Sequence, residues 1–216
     1  MLSLQIFARQ ALVVTLLSLL PLALPAQPLP TGKAKVRRNM MSGKGSITWA
    51  DGARYEGAIE DKEPNGHGTM TYRDGAVYEG GWWKGKRHGT GNITYAGGAT
   101  YSGQWRNGYP HGNGIRTQGD TIYDGGWKAG RKEGPGKLTT GSFVYEGNWK
   151  ADYPQGRGKR VWFDGQSEYG TYQRGKVVKG MRDLSNGLWE GTFSPDTGRM
   201  ISGVRTLKDR ARYKTR

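Results

Sequence analysis

The chain has 216 residues, of which 34% are hydrophobic, with 37 glycines, 8 tryptophans, 12 tyrosines and no cysteine. So few aliphatic side chains argue against a thick two-layer core, and the lack of cysteine excludes disulfides, thiolate metal sites and cysteine nucleophiles. The formal charge of +15 favours an anionic partner, either a nucleic acid or a membrane surface.

Residues 1–26 differ in composition from the rest of the chain. They carry one charge, Arg9, then an apolar run from Ala11 to Leu24 and a small residue at Ala26. This pattern is typical of a cleaved signal peptide, which predicts a secreted or periplasmic protein. The alternative is an uncleaved membrane anchor formed by residues 10–26. Residues 27–42 follow as a basic linker, whose positive charge favours keeping that flank in the cytoplasm.

A repeat begins after the linker. Tyrosines recur every 22 to 24 residues from Tyr55 to Tyr169, with glycine and then tryptophan at steps of two behind most of them. A Gly-x-Gly pair such as Gly89 and Gly91 follows in each unit. Residues at period two share one face of a strand, and the polar turn Lys84–His88 is suited to join two strands. The sequence therefore predicts an all-β fold: a single-layer antiparallel meander of tandem β-hairpin repeats.

The pattern Y-[ED]-G-x-W-x-x-G…G-x-G-x-[IL]-x-Y resembles the MORN (membrane occupation and recognition nexus) repeat. The resemblance covers residues 43–175, as a half unit, about five full units and a shortened sixth that starts at Tyr169. Residues 176–203 are expected to hold a degenerate repeat that includes Trp189. MORN proteins are associated with membrane attachment and protein scaffolding. Where MORN repeats accompany an enzyme, a separate catalytic domain carries the activity, and no room for one remains here.

The charge lies in the flanks, because the repeat body is nearly neutral when the chain is counted by segment. Residues 204–216 form a basic tail in which Val204, Leu207 and Ala211 have helix-like spacing. The tail is predicted to be either a short helix covering the sheet edge or a disordered segment. Its cations are candidates for contact with anionic lipid; they are Lys208, Arg210, Arg212, Lys214 and Arg216.

The aromatic rows are the candidate ligand or partner surface, because exposed tyrosine and tryptophan form binding hot spots. The alternative, expected for most of these rings, is that they form the core of the single layer, so that only the rings least covered by their neighbours make contact. The candidate residues are Tyr78, Trp82, Tyr101, Trp105, Tyr123, Trp127, Tyr145 and Trp149. Three functions stay open: a protein-binding scaffold at the cell envelope, a polysaccharide-binding module that uses the rings, and an anionic lipid-binding protein.

No catalytic residue, cofactor or metal site is predicted, because the sequence lacks phosphate-loop and nucleophile-elbow motifs. A nucleic acid is not an expected partner, since a secreted chain would not meet one and no recognised binding motif is present.

Overall fold

The computed structural model describes residues 30–38 and 43–207, which form one antiparallel sheet of sixteen strands in sequence order. The strands are β1 (Ala34–Arg38), β2 (Lys44–Trp49), β3 (Arg54–Glu60), β4 (Glu63–Thr71), β5 (Val77–Trp83), β6 (Lys86–Thr94), β7 (Thr100–Arg106), β8 (Tyr109–Gln118), β9 (Thr121–Lys128), β10 (Arg131–Thr139), β11 (Phe143–Lys150), β12 (Tyr153–Trp162), β13 (Ser167–Gln173), β14 (Lys176–Leu184), β15 (Gly187–Phe193) and β16 (Met200–Thr206). This topology confirms the predicted all-β meander. Among the described residues, no helix is long and apolar enough to cross a membrane. The predicted signal peptide or anchor lies outside the described part of the chain.

Alternate side chains of each strand point to two different faces of the sheet. In β5, Tyr78, Gly80 and Trp82 are buried on what we term the aromatic face, while Glu79 and Trp83 are exposed on the opposite, polar face. The same alternation recurs in β7, β9 and β11. The predicted period-two arrangement of tyrosine, glycine and tryptophan is therefore confirmed.

One glycine from every strand between β2 and β16 lies in a single row across the sheet. Each glycine of this glycine row faces another glycine on both sides, except at the two ends of the row; the members are Gly45, Gly57, Gly68, Gly80, Gly91, Gly103, Gly114, Gly125, Gly136, Gly147, Gly158, Gly170, Gly180, Gly191 and Gly203. A Cβ atom on Gly91 would overlap the hydroxyl group and ring of Tyr78. Glycine is needed here because the tyrosine ring lies directly on the backbone of the neighbouring strand.

The two strands of each repeat are joined by a two-residue turn. In the β5–β6 hairpin, Lys84 and Gly85 have φ angles of 48° and 70°, and Asn107 and Gly108 repeat this at 52° and 87°. Two consecutive positive φ angles define the type I′ turn, whose twist matches that of antiparallel strands. The turn is shorter than the predicted segment Lys84–His88, because β6 already begins at Lys86.

Successive turns are also connected to each other. The amide of Gly85 donates to the carbonyl oxygen of Pro64 at 3.0 Å, and the amide of Gly130 donates to that of Pro110 at the same distance. The backbone amides of Gly108, Asp152 and Gly175 donate equivalent bonds to the preceding hairpins. Each turn is thus fixed to the hairpin before it, so the turns form an ordered edge of the sheet.

The sixth unit was predicted in the wrong register. Gly170 pairs with Gly158 and Gly180, so the residue two positions before it, Glu168, occupies the place of the repeat tyrosine. Tyr172 occupies the tryptophan place and is fully buried, whereas Tyr169 points to the polar face and is 56% exposed. The unit is therefore not shortened; it carries a glutamate where the other units carry tyrosine.

Both ends of the sheet extend further than the repeat pattern indicated. The segment predicted as a basic linker contains β1, which pairs with β2 from Ala34 to Arg38. At the other end, β16 continues to Thr206 and pairs with β15. Val204, which was assigned to a tail of helix or disorder, is therefore part of a strand. Residues 208–216 lie outside the described residues.

Candidate interaction surface

The repeat tyrosines and tryptophans form one continuous ladder on the aromatic face. The ring of Trp105 lies edge-on between Tyr78 and Tyr101, with centroid distances of 5.2 and 5.0 Å. Trp82, Trp127 and Trp149 are held in the same way between two tyrosines. Edge-to-face pairs at this distance are favourable beyond the apolar area that they bury. Each tryptophan therefore joins its own hairpin to the preceding one.

The polar atoms of these rings are satisfied by the backbone. The hydroxyl of Tyr78 donates to the carbonyl oxygen of Gly81 at 2.9 Å, and the indole N–H of Trp105 donates to that of Gly91, also at 2.9 Å. Units two to five repeat both bonds, and the first unit, which has Ile59 in place of tryptophan, repeats the tyrosine bond. Burial raises the pKa of the Tyr145 phenol to about 12 and also raises that of Tyr78. The phenols thus stay neutral hydrogen-bond donors within the core.

The eight aromatic residues predicted as a partner surface are buried. Their exposed fractions lie between 0% and 4%, for Tyr78, Trp82, Tyr101, Trp105, Tyr123, Trp127, Tyr145 and Trp149. The structure therefore corrects this prediction: the rings form the core of the single layer, which was the alternative reading. A polysaccharide cannot stack on the tryptophan row, because these indole rings are at most 4% exposed.

Two cations complete the aromatic face. The second residue of the strand that follows each hairpin turn is a buried proline in three units, but it is Arg87 or Lys132 in two others. The Arg87 guanidinium lies 4.2 Å from the centre of the Trp105 ring and donates to the carbonyl oxygen of Gly108 at 2.7 Å. The ammonium of Lys132 lies 4.8 Å from the Trp149 ring. Both contacts have cation–π geometry, so the protein's own side chains fill these positions.

Burial lowers the pKa of Lys132 to about 8, while the negative charge of Asp152 partly opposes this effect. The backbone amide of Lys132 donates to a carboxylate oxygen of Asp152 at 2.9 Å. Desolvation of the ammonium therefore outweighs the attraction of the nearby carboxylate.

The replacement of tyrosine by Glu168 creates a buried charged cluster. Its carboxylate lies 3.0 Å from a terminal nitrogen of Arg160 and 3.3 Å from Nε of Arg182, and the three side chains are 7%, 11% and 16% exposed. The Arg160 guanidinium also donates to the carbonyl oxygen of Gly175 at 3.1 Å. Arg160 occupies a strand position that is Met70, Ile93 or Leu138 in other units, and Glu168 is what makes its charge tolerable there.

The charges in the turns of units two to six differ between the two long edges of the sheet. The hairpin edge, defined by the five turns at residues 83–86, 106–109, 128–131, 150–153 and 173–176, carries eight lysines and arginines and one acid, Asp152. The connecting edge, where one unit passes to the next, carries one arginine, Arg73, and four acids, which are Asp51, Asp74, Asp120 and Asp164. Sequence reasoning missed this division, although counting charge by turn position rather than by unit would have detected it.

The remaining predicted contact residues, Lys208, Arg210, Arg212, Lys214 and Arg216, lie outside the described part of the chain. Within the described ranges, no group of three His, Cys, Asp or Glu side chains is placed to hold a metal ion.

The fold is an open sheet of tandem hairpins whose aromatic rings form the core and whose polar face is exposed. This architecture is typical of repeat proteins that bind other molecules. The chain belongs to the MORN repeat family, since the MORN repeat model matches residues 35–54, 55–77, 78–100, 101–120, 123–142 and 145–167. This confirms the resemblance, and the first matched repeat begins at residue 35, inside the segment 27–42 that was predicted as a linker. No curated protein matches the sequence.

Among solved structures, the chain is similar to the TCP domain of SAS-4 (dCPAP) from Drosophila melanogaster, solved in complex with a proline-rich motif of Ana2 (dSTIL). The identity is 14% and the TM-score 0.43, over 85% of this chain and 96% of that one. It is also similar to the wild-type TCP10 domain of CPAP from Danio rerio, at 17% identity and a TM-score of 0.38, over 80% of this chain and 79% of that one.

Proposed function

We propose that the protein is a non-catalytic scaffold at the cell envelope that binds another protein, with basic flanking segments that aid contact with an anionic membrane. The observation that carries this proposal is that only one face of the sheet is needed for the core. All repeat tyrosines and tryptophans of units two to five stabilise the array itself, which leaves an ordered polar face and two charged edges without an internal partner layer. Such extended, preorganised surfaces are what repeat proteins use for binding.

The exposed aromatic side chains favour a protein partner over a polysaccharide. Trp83, Tyr109, Phe163 and Tyr169 are between 41% and 65% exposed, but they lie on different strands and turns rather than in one register. A glycan chain needs rings in a line on which successive sugars stack. Single exposed aromatic residues among polar ones are instead typical of protein–protein hot spots.

Contact with an anionic membrane remains the second candidate function, and the observation that favours it is the basic N-terminal strand. Lys33, Lys35 and Arg37 are exposed at the first edge of the sheet. Each basic residue near an anionic lipid surface contributes about 1 kcal/mol. Sedimentation with anionic vesicles tests this function: we expect binding that weakens at high salt and on removal of residues 208–216, a truncation that leaves β16 intact. Equal sedimentation of the truncated protein would show that the tail does not contribute to membrane binding.

Photo-crosslinking tests the protein-binding proposal. A photoreactive residue at exposed Asn92, in the middle of the polar face, or at Tyr109, near the hairpin edge, should yield a covalent adduct with a partner protein in cells. The same residue at buried Ile93, next to Asn92 in sequence, is the matched control and should yield none. Adduct formation from Ile93 alone would contradict the proposal. Sequencing of the mature N-terminus in each cell fraction tests the location, and a product confined to the cytoplasm would exclude the cell envelope.

A further inference from the structure

The hairpin edge carries a positive charge that no carboxylate of the described residues neutralises through an ion pair. Among the described residues, none of its lysines and arginines takes part in an ion pair, and all except Lys176 are exposed. On the connecting edge, by contrast, the carboxylates of Asp51, Asp74 and Asp164 each accept a hydrogen bond of 3.0 Å from the backbone amide two residues later. The aspartates therefore have a local role in turn formation. The cations of the hairpin edge form no ion pair with the described residues, although Lys84 lies over the Trp83 ring and Lys176 donates to the carbonyl oxygen of Asp196.

Exposed aromatic side chains lie among these cations. At the ends of successive hairpins, Trp83 pairs with Lys86 and Tyr109 pairs with Arg106 across the two strands. Trp83 is 48% exposed, Tyr109 is 41% exposed, and the ammonium of Lys84 lies 4.9 Å from the Trp83 ring. Cations beside solvent-exposed rings provide both long-range attraction and apolar contact area for a partner.

The spacing of the edge is regular. Adjacent hairpins are two strands apart, which is roughly 9–10 Å, and the amide-to-carbonyl bonds between turns hold them in this order. Three residues of an extended or polyproline II chain advance by about the same distance, and in polyproline II every third side chain points to the same side. A carboxylate at every third residue of a polyproline II chain would thus meet one hairpin after another.

We infer that the hairpin edge binds an extended acidic segment of the partner protein, with a carboxylate about every third residue facing the cations of successive turns. This inference rests on the proposed scaffold function and names the chemistry of its partner. The first turn of the array shows where the surface ends, because Glu60, Asp61 and Glu63 reverse the sign of the charge there. The acidic segment therefore lies along units two to six only.

Binding of synthetic peptides to the full-length protein tests the inference. The probe is a fluorescent proline-rich peptide with glutamate at every third position, and its control has the same composition with the glutamates in one block. We expect the spaced peptide to bind more tightly and its affinity to fall as salt is raised. Lys86→Gln/Lys128→Gln/Lys150→Gln should weaken it about tenfold, since three exposed ion pairs are lost.

The matched control is Lys137→Gln/Arg157→Gln/Lys159→Gln, which removes the same charge from exposed positions away from the turns. It should change the affinity less than twofold. An equal loss in both triple variants, equal binding of both peptides, or binding of anionic vesicles but of neither peptide would overturn the inference. A partner still crosslinked through Asn92 in such a case would leave the scaffold function standing, so the two failures can be told apart.

Tryptophan fluorescence locates the contact. Trp83 lies on the hairpin edge and is largely exposed, whereas the tryptophans of the ladder are buried. Binding of the spaced peptide should change the emission of the wild-type protein. Trp83→Phe should remove most of this change while leaving the affinity within about threefold. A signal that persists in the variant would place the peptide elsewhere and refute the assignment.

Discussion

Replacing Glu168 by glutamine should loosen the C-terminal part of the sheet. The carboxylate lies between Arg160 and Arg182 at 3.0 and 3.3 Å, and its side chain is only 7% exposed. Loss of one partner from a buried ion pair costs about 3–5 kcal/mol, because the remaining charge is left without compensation. Glutamine keeps one hydrogen-bond acceptor, so we expect a loss of about 3 kcal/mol, at the lower end of this range.

Hydrogen exchange measures this effect where it arises. Since each repeat contacts only its neighbours, the loss should be local. Amides of β13 and β14 should exchange roughly 100-fold faster, as 1.4 kcal/mol corresponds to a factor of ten, while those of β5–β7 stay unchanged. The matched control is Glu56→Gln, which breaks the exposed pair between Arg54 and Glu56 and should cost less than about 1 kcal/mol. Equal effects of the two substitutions would refute the reasoning.

A charge-free replacement of the same cluster separates the value of the ion pairs from the cost of breaking them. Arg160→Leu/Glu168→Tyr/Arg182→Leu would restore the tyrosine and apolar positions of the other units. Buried ion pairs replaced by well-packed apolar groups are often neutral or stabilising, so this variant should be at least as stable as the wild type in urea. A large loss of stability would instead show that the cluster contributes net stability of its own.

Three further predictions concern the repeat itself. Gly91→Ala should cost about 1–3 kcal/mol in urea unfolding, since its Cβ would overlap the Tyr78 ring, whereas Gly97→Ala, in a turn with open space, should be nearly neutral. Ala129→Asn should raise the free energy of unfolding by about 0.5–1 kcal/mol, because asparagine tolerates the φ of 49° found there, and an unchanged urea midpoint would contradict this. Burial lowers the pKa of Lys132 to about 8, so Lys132→Met should gain about 1–3 kcal/mol at pH 7. That gain should shrink between pH 8 and 10.5, where the folded wild type has lost the proton that the unfolded chain retains; a gain independent of pH would refute the assignment.

The spacing of tyrosine, glycine and tryptophan was sufficient to predict the sheet. Side chains of a strand alternate with period two, and a glycine in a strand leaves room for an aromatic ring to lie on the backbone. The same rule could have identified the register of the sixth unit. In the full units the tyrosine precedes its glycine by two positions, as Tyr145 precedes Gly147, but Tyr169 precedes Gly170 by one. Tyr169 was aligned with the other tyrosines because of its residue type, whereas the pairing of Gly170 with Gly158 sets the actual register.

The sequence indicated that most of the aromatic rings form the core, but spacing alone does not show that all eight are buried. A single-layer sheet has no second layer to cover its faces, and the spacing does not show which side chains cover the aromatic face. The structure shows that the rings cover one another, since each tryptophan of the full units is held between tyrosines of its own and of the preceding unit. Arg87 and Lys132 complete this cover from positions that are proline in other units. A strand pattern shows which face a residue is on, but not how far its neighbours reach over it.

The near-neutral charge of the repeat body hides an asymmetry that follows from the topology. The hairpin turns of units two to six are basic, whereas the connecting turns are uncharged or carry an aspartate, so a count by unit hides the difference. In an antiparallel meander, however, all hairpin turns lie on one edge and all connecting turns on the other. An anionic partner approaching the sheet is therefore attracted to one edge and repelled from the other. The triple substitutions on the hairpin edge and away from it change the net charge equally, so only recognition by position, and not attraction by total charge, can distinguish them.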